Sequence, residues 1–95
     1  MENFAKYNAM DFLETKEDIA EYLTACANES EQVFFGALGK VIKHFGVKKM
    51  ADKATLQRTG LYKSFNEKAK NTQYATVSKV LKAMNLRIKI ETINS

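Results

Sequence analysis

The segment from Ser30 to Gly46 constrains the fold most. Phe34, Ala37, Leu38, Val41, Ile42 and Phe45 recur at intervals of three and four, the spacing of one face of an α-helix. Ser30, followed by Glu31 and Gln32, reads as the N-cap of that helix. Gly46 reads as its left-handed C-terminal cap. A helix this apolar along one side has to be covered by other elements. Gly36 and Gly39 lie inside it, and glycine in a helix costs about 1 kcal/mol against alanine. Their presence predicts that another element packs closely there.

The flanking sequence supplies the covering helices. Thr15 has the character of an N-cap, with Asp18 three positions on to bond back, and predicts a helix over about 16–28. Ile19, Ala20, Tyr22, Leu23, Cys26 and Ala27 would face inward, and Glu17, Asp18 and Glu21 would face solvent. Two short helices follow over about 48–54 and 57–65. Beyond a polar stretch at 66–73, Val77, Val80, Leu81 and Met84 mark a fifth helix near 74–84, which Asn85 can close in the left-handed conformation. Residues 86–91 alternate apolar and charged side chains, predicting a C-terminal strand over about 86–92. One strand cannot satisfy its own backbone, so it must pair with the N-terminal segment or with its copy in a second subunit. Phe4, Tyr7, Met10, Phe12 and Leu13 are too apolar for a free tail and are expected to lie against the body.

The expected architecture is therefore mainly α, one domain over residues 1–95, with five helices and a short C-terminal β-strand. Ninety-five residues make one domain, and 45% hydrophobic content argues against wholesale disorder. There is no proline and no Gly/Ser-rich stretch to act as a linker. No apolar run approaches the roughly 18–20 residues of a membrane span, and no secretory signal is evident. Cys26, alone, cannot form an internal disulfide, so the cytoplasm is the expected compartment.

Charge is divided along the chain. Residues 1–35 carry eight acidic and two basic side chains, a net of −6, whereas residues 36–95 carry thirteen basic and three acidic, a net of +10. The basic part suits a polyanion, because neutralising phosphates releases counterions. The acidic N-terminal extension, residues 1–29, suits solvent or a basic protein. Glu14, Glu17 and Glu21 are the candidate contacts for such a protein.

Residues 47–66 carry the functional signal. They read as two helices joined by a tight turn at 54–56, with Met50, Ala51, Leu56, Leu61 and Phe65 on the inner face. Gln57, Arg58, Thr59, Tyr62, Lys63 and Asn66 then project from the start and outer face of the second helix. This is the layout of a helix-turn-helix, whose second helix enters the major groove of DNA. Arg58 or Lys63 can bind guanine, Gln57 can pair with adenine, and Tyr62 can meet a phosphate or a thymine methyl. Lys48, Lys49, Lys53 and Asn66 sit where phosphates would run. One His and one Cys make neither a metal site nor a nucleophile–base pair, and no cofactor motif is present. Catalysis is not expected.

Ala51-Asp52-Lys53, Gly60 and Phe65-Asn66 resemble the helix-turn-helix of lambda-type phage repressors. A broader likeness runs through residues 12–23, 35–41, 59–65 and 75–87, which resemble the HigA-like addiction-module antidotes with a Xre-type DNA-binding domain. Gly60-Leu61-Tyr62-Lys63 and the closing Val80-Leu81-Lys82-Ala83 with Leu86-Arg87 are its more specific parts. The resemblance implies a lambda-repressor-like fold, and with no cofactor motif in the sequence no cofactor is expected. It implies a homodimer that represses its own operon at a palindromic operator and neutralises a basic RelE/HigB-type toxin. The chain departs from the pattern at Thr55, where the turn usually has Gly, at Gln57, where the second helix usually starts with Ser, and at Thr72-Gln73, which replaces Pro-Ser. All three affect capping rather than core. Two other functions fit the same residues: a stand-alone regulator, and a toxin-binding module that does not bind DNA.

Overall fold

A computed structural model describes residues 13–93. Five helices follow in order: α1 Lys16–Glu29, α2 Glu31–Phe45, α3 Val47–Ala54, α4 Arg58–Ser64 and α5 Tyr74–Ala83.

The starts of α1 and α2 follow from their caps. The Thr15 hydroxyl accepts from Asp18 N at 3.0 Å, and the Asp18 carboxylate accepts from Thr15 N at 3.2 Å, which closes a capping box. The same carboxylate also accepts from Glu14 N at 3.1 Å. These backbone donors, Glu14 first and Thr15 second, hold the Asp18 carboxyl below the ordinary value of 3.8. Ser30 Oγ accepts from Val33 N at 3.1 Å and starts α2. Gly46 ends α2 with φ +102° and ψ 119°, a positive-φ conformation outside the usual left-handed helical basin, and it also opens α3.

Helix α2 is central. It packs against α1, α3 and α4, and α3 also packs against α5. Leu38, Val41, Leu61 and Val80 are the largest fully buried side chains. Each stabilises the fold by about 1.5–3 kcal/mol relative to an exposed position. Gly36 and Gly39 face the segment that follows α4. A Cβ at Gly36 would lie 2.7 Å from Glu67 Cγ, and a Cβ at Gly39 would collide with the Phe65 carbonyl oxygen. The close approach expected from these glycines is therefore present, and it positions the end of α4.

Several sequence expectations shift in detail. Ala27 is exposed rather than inward, whereas Ile19 and Leu23 alone on α1 are fully buried. The first short helix begins at Val47, and the second runs from Arg58 instead of 57 and stops at Ser64. Gln57 caps α4 without a side-chain hydrogen bond, so nothing draws the helix one residue earlier. The turn falls at residues 55–57 and depends on Thr55 at φ 58°, ψ 47°, the left-handed conformation. Asn85 takes a positive φ of 61° after α5, as its residue type predicts.

The C-terminal strand expected over 86–92 is absent among the described residues. Leu86 N donates to Leu81 O at 2.8 Å, and no backbone hydrogen bond within the described residues involves residues 87–93. Among the described residues no neighbouring strand stands beside it to complete a ladder. Of the N-terminal apolar residues, Leu13 is half-buried against the core; Phe4, Tyr7, Met10 and Phe12 lie outside the described residues.

Candidate nucleic-acid interface

Helices α3 and α4 form a bent pair whose inner face is apolar. Met50, Ala51, Ala54, Leu61 and Phe65 are buried, and Leu56 is half-buried against the same core. Burial of one side turns the polar side chains of both helices outward.

On α4, Arg58, Thr59 and Lys63 are exposed, Gln57 just before it is exposed, and Tyr62 is 55% exposed. On α3, Lys48, Lys49 and Lys53 are exposed. Among the described residues none of these cations has a carboxylate partner, because the ion pair recorded there joins Lys89 to Glu91 at 3.7 Å. Five exposed cations with no carboxylate partner among the described residues make the solvent side of this short helical pair electropositive. Lys49 and Lys53, one turn apart, line a cleft with Lys16 over Ile19, Phe45, Met50 and Met84. Tyr62 lines a second, small cleft with Lys43 and Val47. Lys43, which the sequence pattern did not single out, thereby joins the Tyr62 side of this edge. Its signal was a basic residue in the last turn of α2.

Asn66 behaves differently from its neighbours. Its side-chain Nδ2 donates to Tyr62 O at 2.7 Å and to Lys63 O at 3.3 Å, and its Oδ1 accepts from Lys68 N at 2.8 Å. The amide therefore caps the last carbonyls of α4 and starts the next turn. Thr72 Oγ1 donates to Ser64 O at 2.7 Å and ties the following loop to the same helix end. These two residues stabilise the C-terminal end of a seven-residue helix that lacks an N-cap side-chain bond. Polar residues directly after the α4 pattern were the sequence signal for this role.

Gly60 is exposed, and nothing lies within 4 Å of where its Cβ would be. No neighbour among the described residues accounts for a glycine at this position on the outer side of α4.

Glu14, Glu17 and Glu21 are exposed on and just before α1. Cys26 is half-buried beside Tyr22, and burial pushes its thiol above the ordinary value of 9.0, away from nucleophilic character. His44 is exposed and stands edge-on to Phe45, with ring centroids 5.5 Å apart. Among the described residues no cluster of three or more His, Cys, Asp or Glu could hold a metal ion, and no helix is long and apolar enough to cross a membrane.

Residues 3–92 match the sequence model of a family described as "Probable addiction module antidote protein". The chain belongs to this addiction-module antidote family. It is also similar to an uncharacterised protein of Haemophilus influenzae (strain ATCC 51907 / DSM 11121 / KW20 / Rd), 30% identical over 91 residues, which span 95% of this chain and 93% of that protein. No solved structure matches the chain. An antidote of an addiction module implies a toxin as partner, and neutralisation of that toxin is a binding role rather than catalysis.

Proposed function

We propose that this antidote is also a DNA-binding repressor, acting as a dimer on its own operator through a helix-turn-helix made of α3 and α4. The observation that carries the reading is that Lys48, Lys49, Lys53, Arg58 and Lys63 are all exposed on a helical pair whose inner face is buried, none with a carboxylate partner among the described residues. Helix α4 enters the major groove, and Gln57, Arg58, Thr59 and Lys63 reach base edges. Lys48, Lys49 and Lys53 hold phosphates, and Tyr62 contacts the backbone or a thymine methyl. Asn66 acts through its cap by fixing the end of α4. Two α4 helices about 34 Å apart then meet successive major grooves of a palindromic operator.

The toxin in this reading is a small basic protein of RelE/HigB type. Glu14, just before α1, and Glu17 and Glu21 on it supply charge complementary to it. Charge reversal of all three is expected to weaken toxin binding at low salt; unchanged affinity removes this surface from the reading.

The deciding experiment is a titration of the DNA upstream of the gene, against random duplex, at several salt concentrations. Lys63→Ala or Arg58→Ala should cost about 1–3 kcal/mol and relax specificity, whereas Lys49→Ala should weaken both DNAs alike and lower the salt slope by about one. Equal losses on both DNAs for all three variants would overturn the assignment of roles. No shift of the upstream DNA would leave an antidote that works by toxin contact alone.

A further inference from the structure

Residues 86–93 are the most exposed apolar segment described. Ile88, Ile90 and Ile93 are 46%, 93% and 88% exposed, and they make up half of the exposed large hydrophobics among the described residues. Leu86, by contrast, is half-buried against the core and anchors the segment. The segment overhangs an open groove of about 880 Å³, whose other wall is Ala20, Leu23, Ala27, Phe34 and Leu81. Beyond Leu86 its backbone groups make no backbone hydrogen bonds within the described residues. Lys89 and Glu91, two positions apart, meet at 3.7 Å on one side, as alternate side chains of an extended chain do. An apolar extended segment with free N–H and C=O groups is a template for strand pairing.

We propose that this segment pairs antiparallel with the same segment of a second copy, Ile90 opposite Ile90 across the two-fold axis, and so closes the dimer. The choice of a second copy comes from the charge pattern. Antiparallel pairing about a two-fold axis sets equal steps on either side of its centre opposite one another. Centred on Ile88, it places Arg87 against Lys89. Centred on Lys89 or Glu91, it places a like charge against itself. Centred on Ile90, it places Lys89 of each strand against Glu91 of the other and Ile88 against Thr92, with no like-charge pair. The pattern is thus self-complementary in one register. That register puts Leu86, Ile88 and Ile90 on one face of the two-stranded ribbon, and this face covers the α1 groove. None of the groove residues belongs to α3 or α4, so the pairing leaves the cationic edge open. The inference rests on the dimeric reading above and names the surface that makes the dimer.

The test uses the full chain in a Cys26→Ser background. Ile90→Cys is expected to form an intermolecular disulfide on mild oxidation, because directly opposed Cα atoms lie within the roughly 4.4–6.8 Å that a disulfide spans. Ile93→Cys is almost equally exposed but lies three residues from the axis, and is expected to stay monomeric on denaturing gels. Sedimentation equilibrium reads the register: Lys89→Glu and Glu91→Lys each weaken the dimer about tenfold, and the double variant restores it. Crosslinking of Ile93→Cys as readily as Ile90→Cys overturns the proposal, and so does a dimer unaffected by either single charge change. If the ribbon fails these tests while the upstream DNA is still shifted, the repressor reading stands. If Ile90→Cys crosslinks but no DNA is bound, the ribbon stands and the repressor reading falls.

Discussion

Thr55 is one of two non-glycine residues at positive φ among the described residues, and the β-branched one, so it gives a sharp quantitative test. It sits at φ 58°, ψ 47° at the end of α3, where an L-residue's Cβ crowds the following carbonyl. A β-branched side chain there is a rare outlier. The conformation is enforced by the turn, because Thr55 N donates to Asp52 O at 3.3 Å and Leu56 N to Ala51 O at 2.9 Å. The side chain is exposed, and its hydroxyl makes no hydrogen bond within the described residues, so its removal sacrifices no burial. Thr55→Gly relieves about 1–2 kcal/mol of strain. It also frees the unfolded chain, which offsets about 0.4–1 kcal/mol. The net expectation is stabilisation by about 0.5–1 kcal/mol, a rise in Tm of about 2–8 °C for a domain of this size. Thr55→Ala keeps a Cβ in the same conformation and should stay within about 0.5 kcal/mol of the parent. Urea denaturation with all three proteins provides the comparison. A Thr55→Gly variant no more stable than Thr55→Ala would refute the strain argument.

Three further outcomes follow from the same geometry. Gly39→Ala forces a Cβ against the Phe65 carbonyl, which is backbone and cannot swing aside; it should destabilise by about 1–3 kcal/mol in denaturant unfolding. Gly60→Ala meets open space, so it should stabilise by about 0.5–1 kcal/mol while weakening operator binding in a gel shift; unchanged DNA affinity would mean that α4 does not bring its backbone close to the duplex at that point. The Asp18 carboxyl titrates below its ordinary 3.8 in the folded state. Its contribution is therefore present above that value and lost as pH falls through the lower folded value; an NMR titration of Asp18 with a midpoint at or above 3.8 would show that the capping box is not formed.

Helix α2 and its start at Ser30 were legible because periodicity and cap residue agree; Gly46 marked the end, but it takes φ +102° and ψ 119° rather than the left-handed helical conformation expected of it. The capping box at Thr15 and Asp18 was legible for the same reason: a cap is a local bond between residues three apart, and residue type suffices to place it. The inner face of the α3–α4 pair could be read from apolar spacing alone. The precise start of α4 could not, because Gln57 forms no side-chain cap and helix onset there depends on how Leu61 and Phe65 seat in the core. Asn66 looked like one more polar residue on an outer face, and only its bonds to the carbonyls of Tyr62 and Lys63 distinguish a cap from a contact.

Local chemistry in the sequence thus determined that the chain is helical, where its two longest helices begin and end, and which side chains are apolar enough to be buried. The tertiary structure decided what lies opposite what: Phe65 against Gly39, Glu67 against Gly36, and five exposed cations on α3 and α4 with no carboxylate partner among the described residues. It also left the alternating tail without a pairing strand among the described residues. A strand's pattern records which faces it would present, but its hydrogen bonds belong to a neighbour, and no sequence supplies a neighbour by itself.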